Sequence, residues 1–132
     1  MGQCLTNIKL YNIKEVPSFQ RFNPYILRGY RAYLTVKQCL VSLIVLSNEF
    51  FNIWSHVAAL VLWVYLSVND HFVWIPKYQG VFGDHLAFGI FHLGCQACML
   101  LSAMYHTFNA HKEEKVVCNY LSADIAGTTC CY

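Results

Sequence analysis

Charged residues are scarce in this sequence of 132 residues. They make up 12% of it, about half the share usual in soluble globular proteins, whereas apolar residues make up 57%. A sequence so poor in charged residues excludes an ordinary soluble domain and predicts a membrane protein. The formal net charge is only +2, and the aromatic residues stand in apolar surroundings, so nucleic acid is not an expected partner.

The sequence also lacks a secretory signal peptide, because its first long apolar run begins only near Cys39. Most of the seven cysteines lie in or beside apolar segments, where a thiol behaves as a small hydrophobic group. A disulfide framework is therefore not expected. Cys95 and Cys98 have the spacing of redox and zinc motifs, but no second pair accompanies them, and we interpret them as packing residues.

The distribution of polar and apolar residues divides the chain into three regions. Residues 1–35 mix polar, basic and aromatic side chains with Pro17 and Pro24, which predicts a mostly irregular cytosolic arm. In residues 36–48 apolar side chains recur at three- and four-residue spacing, which predicts an amphipathic juxtamembrane helix. Residues 49–132 form the predicted transmembrane region.

The transmembrane region predicts an all-α membrane protein. The helices are expected at residues 50–68, 86–110 and 116–132, and the first two have about the length that crosses a bilayer. The third is cut short by the end of the sequence, so about two complete helices and one partial helix are present. Basic residues concentrate in the arm and in the turn after the second helix, which places the N-terminus in the cytosol by the positive-inside rule.

Three polar side chains are expected to meet between the second and third helices. Ser102 and His106 are four residues apart and share one helical face, and Asp124 lies at a similar depth on the antiparallel third helix. A polar network that fastens the helices together and a metal site with His106 as a ligand are both open. One histidine cannot hold zinc by itself. His92 lies near the opposite membrane surface and is interpreted as a helix-packing residue.

A second polar face opens the first transmembrane helix. Glu49, Asn52 and His56 are spaced by three and four residues and therefore share that face. A carboxylate at a helix N-terminus interacts favourably with the exposed N–H groups, so capping and membrane anchoring is the favoured interpretation. Participation in a cytosol-facing cavity is the alternative.

The first residues of the chain fit a lipidation pattern. Gly2 and Thr6 stand at the positions that N-myristoylation requires, and Cys4 is placed to add palmitate as the second signal of a stable anchor. Such a short pattern also arises by chance, so an unmodified N-terminus is the alternative.

Two ordered groups of residues resemble the signatures of the progestin and adipoQ receptor family, which is related to haemolysin III. The first group reads NPYI at 23–26, GYR at 29–31 and SNEFFNIWSH at 47–56. The second group combines Ser102 and His106 with Asp124 and Gly127. The resemblance covers roughly residues 20–130, and the wording of the first group is most similar to a Golgi member of that family.

The resemblance implies a seven-helix bundle with a cytosolic N-terminus, of which this sequence is the N-terminal portion. It also implies a zinc ion near the cytosolic face, held by one histidine of the second helix and two of the seventh. His106 matches the first of these ligands, and Ser102 and Asp124 match polar residues near the metal, Asp124 through water. The later histidine pair is absent from this sequence, so an intact zinc site is not expected from this chain alone.

Three functions are therefore open. The resemblance implies a receptor-like scaffold that tethers a Raf-type kinase through the arm and regulates signalling at the Golgi, with the plasma membrane as an alternative location. The second function is a zinc-dependent lipid amide hydrolase, in which the full-length protein would use His106 as a ligand. The third is a non-functional truncated product, because polar groups without partners are costly in lipid. Membrane lipid is an expected partner in each case.

Overall fold

The computed structural model describes residues 8–129, which form a folded N-terminal arm followed by three long helices. The candidate lipidation sites, Gly2 and Cys4, lie outside the described residues. The arm and the helices together position the polar residues that the sequence singles out.

The N-terminal arm is folded, whereas the sequence predicted a mostly irregular segment. Strand β1 (Leu10–Asn12) pairs antiparallel with strand β2 (Arg28–Arg31), and two short 3-10 turns lie between them. Val16, Tyr30 and Ala32 form a small buried apolar cluster within the arm. The mixed polar and aromatic composition concealed this core, because so small a unit needs only a few buried apolar side chains.

Gly29 joins the arm to the start of the first long helix. Its φ angle is +89°, in the region that side chains disfavour and glycine tolerates. The Gly29 carbonyl accepts a hydrogen bond from the backbone N–H of Asn48 at 2.9 Å. This bond holds β2 against the residues that precede Phe50.

Helix α1 (Val36–Val41) is shorter than the predicted juxtamembrane helix and continues as a 3-10 turn, Ser42–Ile44. The side chain of Gln38 accepts a hydrogen bond from the backbone N–H of Thr35 at 3.0 Å and so closes the helix N-terminus. Cys39 is fully buried, and burial raises the pKa of its thiol to about 11. The thiol is therefore protonated near neutral pH and packs as an apolar group.

The first long helix, α2, spans Phe50–Lys77 and continues beyond its predicted end. It is α-helical over Phe50–Asn69 and then passes through a π-helical turn, Asp70–Trp74, before its last residues. The sequence predicted the first transmembrane helix to end at residue 68, which placed Asp70 in the loop that follows. It remains helical here because its carboxylate pairs with Nε2 of His92 at 2.7 Å.

Helices α3 (Phe82–Phe108) and α4 (Glu114–Thr129) follow, and each begins earlier than predicted. The loop expected between the first two predicted helices is reduced to a short turn between α2 and α3. Asp84, which the sequence assigned to this loop, lies in the first turn of α3 and accepts a hydrogen bond from the backbone N–H of Val81 at 2.8 Å. The predicted end of the third helix lies outside the described residues.

Helices α2 and α3 are each long and apolar enough to cross a membrane. Large side chains of α2, including Phe51 and Tyr65, face outward, as expected for a helix surrounded by lipid or by further helices. Gly127 allows α4 to approach α3 closely, because a Cβ at this position would lie 2.8 Å from the side chain of Leu101. The predicted fold class, an all-α membrane protein, is confirmed.

Candidate polar site around His106

The side chain of His106, near the end of α3, contacts the residue that precedes α2. Nδ1 of His106 lies 2.8 Å from Oε2 of Glu49, and both side chains are largely buried, with 20% and 16% of their surface exposed. The sequence favoured a capping role for Glu49, but the Glu49 side chain makes no capping hydrogen bond to α2. Its side chain instead belongs to a polar cluster with His106, and the alternative, participation in a cytosol-facing cavity, stays a prediction.

Asn52 and His56 extend this cluster along α2. The side-chain amide of Asn52 donates a hydrogen bond to Oε2 of Glu49 at 2.8 Å. Nδ1 of His56 lies 2.7 Å from the backbone carbonyl of Asn52, and the His56 ring centroid lies 5.3 Å from that of His106. The shared helical face predicted for Glu49, Asn52 and His56 therefore borders His106.

The environment of Glu49 favours its ionised form. Burial of the carboxyl group opposes ionisation, but hydrogen bonds with His106 and Asn52 outweigh burial and lower the pKa of Glu49. A carboxylate at Nδ1 favours the His106 tautomer that carries its proton on this nitrogen. Nε2 then keeps the lone pair that metal coordination requires.

Ser102 and Asp124 form a second polar pair, one turn before His106 on α3. Oγ of Ser102 donates a hydrogen bond to Oδ1 of Asp124, which lies on α4. The Ser102 side chain is buried, so this bond fastens two helices together in an apolar setting. The structure thus brings Ser102 and Asp124 together, whereas His106, which the spacing set at the depth of Asp124, pairs with Glu49.

The residues present fit one ligand of a zinc centre. His106 offers Nε2, and Glu49 orients the ring from Nδ1, an arrangement common around metal-bound histidines. Among residues 8–129, no three His, Cys, Asp or Glu side chains are placed to hold a metal ion together. The described chain therefore supplies a part of such a centre, and zinc binding stays a prediction.

His92 lies at the other end of the helices, as expected. It is 2% exposed, its Nε2 binds Asp70, and its ring contacts Trp63 of α2 with centroids 5.7 Å apart. Two further histidines pair nearby, with Nδ1 of His71 3.0 Å from Nδ1 of His85. This group was not predicted from the sequence, although three histidines near the turn between α2 and α3 were a visible signal.

The N-terminal arm closes over the His106 end of α3. Arg31 is 2% exposed, and its guanidinium donates hydrogen bonds to the carbonyl of His106 at 2.8 Å and to Oγ of Ser42. The side-chain amide of Gln20 donates to the carbonyl of Asn109 at 2.7 Å. Burial lowers the pKa of Arg31, but a guanidinium stays charged at neutral pH. These positioning roles of Arg31 and Gln20 were not predicted from the sequence.

Comparison with known proteins agrees with this architecture. The profile of the family described as Haemolysin-III related matches residues 44–130, about two thirds of the chain. The chain belongs to this family. Two relatives carry the name progestin and adipoQ receptor family member 3, so the family predicted from the residues is confirmed. The matched range includes Glu49, Ser102, His106 and Asp124, whereas Arg31 precedes it.

Three relatives illustrate the reach of this family of progestin and adipoQ receptors. Progestin and adipoQ receptor family member 3 of Homo sapiens is 38% identical over 91% of this chain and 39% of its own length. Heptahelical transmembrane protein 1 of Arabidopsis thaliana is 29% identical over 92% of this chain and 38% of its own length. The Adiponectin receptor protein of Drosophila melanogaster is 26% identical over 80% of this chain and 24% of its own length. The chain spans about two fifths or less of the length of these relatives.

Proposed function

We propose that this protein is a receptor-like signalling regulator that tethers a Raf-type kinase at the Golgi through a cytosolic N-terminal arm. Its membership in the progestin and adipoQ receptor family supports a membrane role, and the resemblance of the arm to a Golgi member supports the location. The six basic residues before the first long helix support a cytosolic arm.

The observation that carries the tethering proposal is the exposed apolar surface of a folded arm. Phe22, Tyr25 and Leu27 are 61%, 89% and 65% exposed. The turn that presents them is fixed, because the backbone N–H of Tyr25 donates to Oδ1 of Asn23 at 2.9 Å. Exposed aromatic side chains on a preformed turn are typical anchors of protein interfaces.

The tethering proposal predicts that the arm surface controls kinase recovery. Replacing Phe22, Tyr25 and Leu27 together by serine is expected to reduce co-precipitation of a Raf-type kinase at least about tenfold, the loss typical of removed interface anchors. Lys14→Ser, at an exposed arm residue away from this turn, is the matched control. Kinase recovery and Golgi localisation equal to those of the wild type in the triple variant would overturn the proposal.

The two polar pairs favour a second candidate function, a membrane lipid amide hydrolase in the full-length protein. When bound, zinc would activate a water and polarise the amide carbonyl. His106 would offer Nε2 as a ligand, Glu49 would hold its ring, and Asp124, fixed by Ser102, would position the water. Purified full-length protein is then expected to release fatty acid from a labelled lipid amide, and His106→Ala is expected to abolish this. No release by zinc-loaded wild-type protein would refute hydrolysis.

A further inference from the structure

A small, partly enclosed space lies between the N-terminal arm and the start of α2. Its volume is about 10 Å³. That volume is close to the minimum that holds one water molecule. The space is lined by polar and aromatic residues of the arm, of the segment before α2 and of the end of α3: Gln20, Tyr30, Arg31, Asn48, Glu49 and Asn109.

Three lining residues each bury one polar atom that has no hydrogen-bond partner among residues 8–129. These atoms are Oε1 of Gln20, Nε of Arg31 and Oδ1 of Asn48. Gln20 and Arg31 are more than nine-tenths buried, with 8% and 2% of their surface exposed. Buried polar groups in folded proteins are nearly always paired, so three unpaired atoms on residues that line one space indicate a shared partner.

The hydrogen-bonding capacities of the three atoms specify that partner. Nε of Arg31 can only donate, while the amide oxygens of Gln20 and Asn48 can only accept. A single water accepts one hydrogen bond and donates two, which satisfies all three atoms. A metal cation would face the N–H of Arg31, and an anion would face two amide oxygens, so neither fits this space.

The orientation of both amides is fixed by their other contacts. The amide nitrogen of Gln20 donates to the carbonyl of Asn109 at 2.7 Å, and that of Asn48 donates to Oε1 of Glu49 at 3.2 Å. Turning the Asn48 amide would bring its oxygen against the Glu49 carboxylate, where two acceptors repel each other. The amide oxygens of Gln20 and Asn48 therefore remain the unpaired acceptors.

We propose that Gln20, Arg31 and Asn48 hold one buried water, which makes the N-terminal arm part of the polar site around His106. The water joins two arm residues to Asn48. Asn48 in turn donates to Glu49, whose other carboxylate oxygen contacts His106. A displacement of the arm is thereby transmitted to the carboxylate that orients the His106 ring. This inference rests on geometry and holds whether or not the protein tethers a kinase.

The direct test is a structure of the full-length wild-type protein, in lipid, at a resolution that shows ordered water. One isolated peak is expected within about 2.7–3.2 Å of Gln20 Oε1, Arg31 Nε and Asn48 Oδ1. An empty space, or a direct hydrogen bond between Gln20 and Arg31 that closes it, would overturn the proposal. So would a peak at the shorter distances of a bound metal ion.

An independent test uses the thermal unfolding of the full-length protein. Gln20→Met and Asn48→Leu each remove one acceptor of the water, and each is expected to lower the Tm by about 2–4 °C. Because either change releases the same water, the double variant is expected to lose clearly less than the sum of the single losses. Gln20→Met combined with Asn12→Leu, in the exposed part of the arm, should be additive. Additive losses for Gln20 and Asn48 would show that no water is shared.

Discussion

Replacing Arg31 by methionine is expected to destabilise the full-length protein by about 3 kcal/mol and to release the N-terminal arm. The guanidinium is buried and donates hydrogen bonds to the carbonyl of His106 and to Ser42. Methionine fills much of the same volume without a donor, so both acceptors would stay buried and unpaired. The measurements are thermal unfolding of the purified protein and the rate of proteolysis within the arm.

Arg28 provides the matched control for this prediction. It lies on the same strand, β2, but its side chain is exposed. Arg28→Met removes the same charge and is expected to change the stability by at most about 0.5 kcal/mol. Equal unfolding temperatures and equal proteolysis of the two variants would mean that Arg31 does not anchor the arm. A large effect of both would point to the net charge of the arm instead.

The sequence predicted the features that depend on residues close together in the chain. Long apolar runs located α2 and α3, because a bilayer requires about 20 apolar residues in a row. Equal spacing from a common turn placed His106 and Asp124 at similar depth, since antiparallel helices rise at the same rate, and Asp124 lies against Ser102, one helical turn from His106. Both inferences follow from helix geometry and need no knowledge of distant contacts.

The sequence was less informative where a polar residue finds its partner far along the chain. From the sequence, Asp70 was expected in a loop, but in the structure His92 on the next helix pairs with its carboxylate. From the sequence, Glu49 was expected to cap a helix, but its side chain pairs with His106, 57 positions later. Arg31 looks like a cytosolic surface charge, although the end of α3 buries it. In each case burial and long-range pairing decided the role of a charged side chain.

The second large effect is expected on zinc affinity and comes from the pairing of Glu49 with His106. If His106 is a zinc ligand in the full-length protein, Glu49→Leu is expected to weaken zinc binding by up to about 100-fold and Glu49→Gln by about 10-fold. Glutamine still offers an oxygen to Nδ1 of His106 but lacks the charge that fixes the tautomer. Leucine offers neither. Zinc affinity is measured by competition with a chelating dye, and zinc content by elemental analysis.

Glu113→Gln is the control, because Glu113 is an exposed carboxylate in the turn before α4. Unchanged zinc affinity in Glu49→Leu would limit the Glu49–His106 contact to a structural role at the junction of α2 and α3. Wild-type protein that binds no zinc would remove the metal site and, with it, the hydrolase function. The buried water proposed beside Asn48 would remain in either case, because its three partners were inferred from unpaired atoms and not from a metal. The zinc measurements therefore test the chemistry of His106, whereas the Arg31 and Arg28 variants test the attachment of the arm.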